Sequence, residues 1–159
     1  MNSNKILIVT SEFPPQPGGI GNHAFNLASQ LQKNGYEIGI IADVRSNDGF
    51  EEQEFDKTLP FEVYRIKRFR RSICTYLKRI LVFNREVKQY SKVIATGKFA
   101  LWLIGFFPLT AAKLKVGIIH GSEVNLKGYY RKLTNKALLK LDKVIAVSNY
   151  TKSLMVSLK

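Results

Sequence analysis

Strand-like and helix-like patterns alternate along the whole of this chain, and that alternation restricts it to a parallel sheet covered by helices on both faces. Residues 5–10 (KILIVT) form a continuous apolar run of the kind buried on both sides in such a sheet. A loop with Pro14, Pro15 and Pro17 follows. Ile20, Ala24, Leu27, Ala28 and Leu31 then recur along one helical face, and Asn34 and Gly35 supply a stop. Further strands are expected at 37–42, 61–66, 92–95, 116–119 and 143–147. Between them, Ile73, Leu77, Ile80, Leu81 and Val87 mark an amphipathic helix. A helical pair over 98–113 breaks near Gly105 and Pro108, and a helix over 129–141 turns Leu133, Ala137 and Leu141 inward. A last helix opens at Asn149 and runs through Tyr150, Leu154 and Leu158. The polar stretch 45–60, with Asp48, Gly49 and the acids Glu51, Glu52, Glu54 and Asp56, reads as a long surface loop.

This order describes an α/β chain with a Rossmann-like parallel sheet of about six strands and helices on both faces, residues 1–159 forming a single domain. At 159 residues, with 45% apolar and 23% charged side chains, it buries a core without staples. Cys74 is the one cysteine, so no internal disulfide forms. His23 and His120 lie too far apart to build a Cys/His metal set with it. No metal is expected, and a reducing, cytoplasmic compartment fits best. The apolar run at 6–10 is too short for a secretory segment. The longest apolar stretch, 99–112, contains Gly105 and Pro108 and falls short of the ~20 residues needed to span a bilayer.

In an open parallel sheet, ligands bind outside the carboxyl ends of the strands, where helix N-termini offer free N–H groups. Three segments qualify: 11–22, the run His120, Gly121, Ser122 and Glu123, and the pair Ser148 and Asn149. Gly19, Gly21 and Ala24 satisfy the G-x-G-x-x-A dinucleotide pattern, and Asp43 lies where a ribose-binding acid belongs. Eight residues separate the strand from Gly19, however, so a dinucleotide-binding oxidoreductase domain is the alternative and not the first reading. What remains is a glycine-rich turn able to approach a phosphate, or a tight loop that needs glycine for its own backbone. His120, at a strand end, could reach a ligand hydroxyl or be a satisfied core histidine. Glu123 could orient it, cap the next helix or be solvated. Ser148 precedes a helix and suits an N-cap as well as a site-facing position. His23 reads as a surface or loop-packing histidine.

The formal net charge is +13. Across residues 65–92 ten cations, among them Arg68, Arg70, Arg71, Lys78, Arg79 and Arg85, oppose only Glu86, a net +9. A helix with Ile73, Leu77, Ile80 and Leu81 on one side and Lys78, Arg79 and Arg85 on another could lay its cations on anionic lipid headgroups. Its apolar side would then pack on the sheet or enter the interface, and the competing reading is a solvated basic face. A basic nucleic-acid-binding module is a second alternative. No stretch interleaves aromatic residues with Lys and Arg as a base-stacking platform would, so no nucleic acid is expected.

Residues 5–23 (KILIVTSEFPPQPGGIGNH) resemble the opening of the glycosyltransferase family 4 type, the retaining GT-B enzymes. Residues 116–123 (VGIIHGSE) resemble that family's central histidine strand, and 142–152 (DKVIAVSNYTK) its sixth strand and following helix. The resemblance implies two Rossmann-like domains facing across a cleft, of which this chain is the N-terminal, acceptor-side one, without the C-terminal donor-binding domain. Gly18 and Gly19 then match the glycine loop at the donor diphosphate, His120 the histidine that contacts the transferred sugar, and Ser148 a polar site-facing position. The cations that hold the diphosphate and the Glu-x7-Glu carboxylates belong to the other domain. At Thr96 and Gly97 this sequence departs from a position where the family often has histidine.

The implied activity is transfer of a hexosyl unit from a nucleotide-sugar to a glycan or glycolipid acceptor, with no cofactor and no metal. The donor domain is supplied in cis or in trans, and the chain alone is inactive. The implied location is the cytoplasm, peripheral at the inner face of the membrane, because many enzymes of this type act on lipid-linked acceptors.

Overall fold

The computed structural model describes residues 4–107 and 113–156. Six strands, β1 (Lys5–Val9), β2 (Glu37–Asp43), β3 (Glu62–Ile66), β4 (Lys92–Thr96), β5 (Leu114–Ile119) and β6 (Lys143–Ala146), form one sheet in the order β3-β2-β1-β4-β5-β6. Every pairing is parallel. The connections are α1 (Gly19–Lys33), α2 (Phe50–Asp56), α3 (Ser72–Glu86) with a 3₁₀ turn at Val87–Gln89, α4 (Lys98–Phe106) and α5 (Gly128–Leu138), and α6 (Asn149–Val156) follows β6. This is the Rossmann-like sheet expected from the alternation, and its strand order reverses between β1 and β4, which opens a crevice there.

The period-2 geometry of β1 divides the core. Ile6 and Ile8 face a cluster with Phe13, Ala24 and Ala28, under α1 and α2. Leu7 and Val9 face a second cluster with Phe83, Leu101, Ile104 and Leu138, under α3, α4 and α5. Small residues set how closely the helices approach. A Cβ on Gly21 would meet the backbone of Glu12 and Phe13 at 3.0 Å, and one on Gly105 would lie 2.7 Å from the Ala137 carbonyl oxygen.

Two expectations change. Residues 45–60 are not one loop, because α2 occupies Phe50–Asp56. Polar contacts organise it: the Gly49 N–H donates to Ser46 Oγ at 3.0 Å and the Phe50 N–H to Asp48 Oδ1 at 3.0 Å. Glu52 turns fully inward and accepts from the backbone N–H groups of Arg45 (2.7 Å) and Ser46 (2.8 Å). In α3 the apolar stripe does not pack on the sheet. Ile73, Leu77 and Leu81 are exposed, Ile80 is half-buried, and the inward face is Thr75, Val82, Phe83 and Glu86, with Val87 buried in the turn that follows. Apolar residues run consecutively from Ile80 to Phe83, so two stripes compete for the core, and the one carrying the larger Phe83 wins. The helical pair over 98–113 begins as α4; its second part, around Pro108, lies outside the described residues, as does Leu158.

Candidate functional site

The carboxyl ends of β1, β4 and β5 meet at the crevice. β4 ends on Thr96 and turns at Gly97 (φ 88°), and β5 ends on Ile119 and turns after His120 at Gly121 (φ 112°). Both glycines occupy the left-handed region that a Cβ disfavours, so the chain leaves each strand sharply and keeps the strand ends open. The prolyl loop after β1 delivers α1 to the same place.

Half-buried His120 is held from several sides. Its Nε2 lies 2.7 Å from Thr96 Oγ1. The ring of His23, in the first turn of α1, meets it edge-on, with centroids 4.9 Å apart and planes at 87°. Buried Glu123 accepts through Oε2 from the backbone N–H groups of His120 and Gly121, each at 3.1 Å. Its other oxygen, Oε1, and His23 Nδ1 are buried without a hydrogen-bond partner. Burial pushes the His120 imidazole below its ordinary pKa; Glu123 and Glu12 pull it up, and His23 adds to the lowering. The lowering favours the neutral form of the ring, and with Nε2 on Thr96 it has Nδ1 left for a ligand hydroxyl.

Glu123 is thus a backbone clamp and not a solvated side chain, and His23 is a site neighbour and not a loop-packing residue. Sequence reasoning missed His23 and Thr96. His23 sits three residues after Ile20 and four before Leu27, on the inward face of α1. Thr96 pairs in register with Ile118, two residues before His120. Those spacings were the available signals.

At the glycine loop, the Asn22 N–H donates to the Gly18 carbonyl at 2.9 Å, and Arg45 Nη1 donates to the Pro17 carbonyl at 2.8 Å. A Cβ on Gly18 would collide with the Glu12 carboxylate, whereas one on Gly19 would find nothing within 4 Å. The fold therefore gives no packing reason for glycine at 19. Ser148 caps α6, its Oγ accepting from the Thr151 N–H at 3.1 Å. The Thr151 hydroxyl in turn lies 3.5 Å from where a Gly121 Cβ would be, so this cap adjoins the His120 loop.

Asp43 ends β2, as the sequence placed it, but is not free, and Arg79 is not on the basic surface. Arg79 reaches inward from α3, its Nε donating to Asp43 Oδ1 at 2.9 Å and its Nη2 to Oδ2, with the guanidinium over the Phe99 ring at 4.4 Å. Asp43 is consequently spent and cannot serve a ribose, which removes one of the two features that favoured the oxidoreductase alternative, the other being the Gly19, Gly21 and Ala24 pattern. Arg79 leaves the basic surface. Arg68, Arg70, Arg71 and Lys78 stay exposed, and exposed Arg85 pairs with Glu86 at 2.5 Å. Among the described residues no group of three or more His, Cys, Asp or Glu side chains could hold a metal ion, and no helix is long and apolar enough to cross a membrane.

Comparison with solved structures finds the same architecture. A glycosyltransferase from Rickettsia africae ESF-5 superposes with a TM-score of 0.68 at 22% identity, over 98% of this chain and 40% of that one. Acinetobacter baumannii MurG superposes with a TM-score of 0.62 at 16% identity, over 93% of this chain and 42% of that one. The chain thus spans about two-fifths of the length of each, and at these identities the likeness is one of fold. No curated protein matches its sequence. The family model for Glycosyltransferase Family 4 matches residues 17–159, from the glycine loop through the histidine strand to α6, and the chain belongs to that family.

Proposed function

We propose that this chain is the acceptor-side, N-terminal domain of a retaining glycosyltransferase that moves a hexosyl unit from a nucleotide-sugar to a hydroxyl of a glycan or glycolipid. A C-terminal donor-binding domain, in cis or in trans, closes the cleft. The observation that carries this reading is His120 at the sheet reversal: its imidazole is oriented by Thr96 and its backbone clamped by Glu123, beside a glycine loop whose Gly19 has open space around it.

In this reading the open flank of Gly19 admits the donor diphosphate to the backbone at the start of α1, where the partial positive charge of the helix favours it. His120 Nδ1 faces the transferred sugar. Glu123 holds the His120–Gly121 backbone so that the ring does not reorient as charge develops, and Ser148 contributes through the α6 cap beside Gly121. Catalysis is positioning plus electrostatic stabilisation of the leaving diphosphate, which needs no metal or cofactor.

The complete enzyme, assayed with UDP-, GDP- and ADP-sugars, should lose roughly 10²-fold in kcat on His120→Ala with little change in acceptor KM, as expected for a contact made in the transition state. A variant with near-normal kcat would return His120 to a purely structural role. The chain by itself should support no turnover, because one half of the cleft leaves the donor without its second wall.

The surface of α3 supports peripheral attachment to the cytoplasmic leaflet. Ile73, Leu77 and Leu81 stand exposed at successive turns, flanked by Arg70, Arg71, Lys78 and Arg85. Each cation near an anionic surface contributes about 1 kcal/mol. Sedimentation with vesicles should show binding that rises with anionic lipid and falls with salt. Equal binding to neutral vesicles, or none at low salt, would leave a soluble acceptor as the better reading.

A further inference from the structure

The edge of the sheet opposite the crevice also holds a cavity, of about 380 Å³, at the amino ends of β1, β2 and β3. Lys5, Gln32, Tyr36, Glu37, Phe61 and Glu62 contribute to its lining. The transfer at His120 draws on none of these residues.

One wall of this cavity is Tyr90, and a glycine makes room for it. A Cβ on Gly39 would collide with the Tyr90 hydroxyl, so glycine in β2 lets that buried ring lie against the sheet. The Tyr90 carbonyl accepts from the buried Lys113 ammonium, which also holds the Val87 carbonyl. Tyr64 donates its one hydroxyl proton to Glu62 Oε2 at 2.5 Å and lies 3.2 Å from the Tyr90 hydroxyl, which therefore donates to it. Burial raises the Tyr64 pKa above the ordinary phenol range, and the bond to Glu62 adds to the rise, so Tyr64 stays a donor. Lys5 Nζ fixes Glu37 in the same way, at 2.5 Å. Two exposed carboxylates at the starts of neighbouring strands are thus each held in place with acceptor positions to spare.

The lining therefore combines acceptors at Glu37 and Glu62, an amide at Gln32 that both donates and accepts, and aromatic surface at Tyr36 and Phe61. The cation of the lining, Lys5, is tied to Glu37, so the site has no free positive charge for a phosphate. A ring that carries hydroxyls on its rim and C–H groups on its face matches this set. The volume lies at the small end of ligand cavities, roughly 300 to 1,000 Å³, and suits a short saccharide.

We propose that this cavity binds a neutral saccharide, with Glu37, Glu62 and Gln32 on its hydroxyls and the rings of Tyr36 and Phe61 on its apolar side. The site lies across the sheet from His120, so it is a second place at which the domain holds sugar, separate from the transfer and not dependent on it.

NMR titration of the isotope-labelled 159-residue chain tests it, with the methyl glycosides of glucose, galactose, mannose and N-acetylglucosamine as probes and inorganic phosphate and spermidine as charged controls. At least one glycoside should shift the backbone amide signals of Gln32, Glu37 and Glu62 saturably, and phosphate should not. Glu62→Gln, which keeps an acceptor for Tyr64, should weaken that glycoside about tenfold, and Gln32→Ala and Tyr36→Ala about fivefold each. His120→Ala should leave its affinity unchanged.

The absence of a saturable shift with every glycoside overturns the proposal. So does affinity lost in His120→Ala but kept in Glu62→Gln, which would put the sugar in the crevice. Spermidine or phosphate moving the same signals while no glycoside does would make this a site for ions and overturn the proposal equally.

Discussion

Helices α1 and α2 cover one side of the sheet and α3, α4 and α5 the other, and the two coverings are built in opposite ways. On the first side small residues, Gly21, Ala24 and Ala28, bring α1 close to the strands, and α2 shows Glu51 and Glu54 to solvent with Phe50 as its exposed large apolar residue. On the second side large residues such as Phe83, Leu101 and Ile104 fill the core, while Ile73, Leu77, Leu81, Tyr129 and Tyr130 are left exposed among Lys78, Arg85, Arg131, Lys132 and Lys136. Each side also turns one charge of its own sign inward, Glu52 in α2 and Arg79 in α3. The net +13 is therefore not spread evenly over the helices, and the positive potential is concentrated on the α3–α5 side.

The sharpest test of this contrast lies within α3. Phe83→Ala removes a fully buried ring and should cost about 3–5 kcal/mol in urea unfolding, whereas Leu81→Ala, two residues earlier, should stay within about 0.5 kcal/mol. Leu81→Ala should instead weaken vesicle binding. A Leu81 variant as unstable as the Phe83 variant would mean that the exposed stripe is packed after all.

Next in size is the inward cation. Arg79→Met strands the Asp43 carboxylate, which is 3% exposed, and should destabilise by about 3 kcal/mol, with part recovered by adding Asp43→Leu. Lys78→Ser, on the exposed face of the same helix, should leave stability unchanged. No recovery in the double variant would show that Arg79 acts by packing on Phe99 and Tyr76, whose rings its guanidinium covers at 4.4 and 5.4 Å, and not through its charge.

The smallest effect belongs to the acidic side. Burial alone would raise the Glu52 pKa, but hydrogen bonds from the Ser46 hydroxyl and the backbone N–H groups of Ser46 and Arg45 outweigh it and bring the value from 4.5 to about 2. A folded-state pKa below the unfolded one means that this stabilisation is complete above about pH 4.5 and is lost as the pH falls towards 2. Glu52→Gln should cost about 1–2 kcal/mol at pH 7 and flatten the decline in stability between pH 4.5 and 3, followed by urea unfolding at each pH. An unaltered acid profile would place the acid sensitivity elsewhere.

Much of the fold was legible in the sequence. The expected strands coincide with β1 to β6 to within about two residues at their ends, because a run such as KILIVT and its breakers are contiguous. The glycine loop, His120 and Ser148 were placed after strands on the same grounds, and the structure brings those positions to one edge of the sheet. Helix α2 was not legible: its seven residues are mostly acidic, and their helical form depends on Ser46, Asp48 and inward-turned Glu52. Nor were the partners of His120, since Thr96 and His23 are 24 and 97 positions away from it.

Local periodicity by itself determined the order of elements, the parallel sheet and the strand ends at which a site can form, because hydrophobic spacing and turn residues act over a few neighbours. Only the tertiary structure decided which stripe of α3 faces the core and which arginine is buried. Those outcomes depend on competition among surfaces that meet only when the sheet closes: Arg79 is drawn inward because β2 ends on Asp43 beneath it, and Ile73, Leu77 and Leu81 stay outside because Phe83 occupies the core position under the helix.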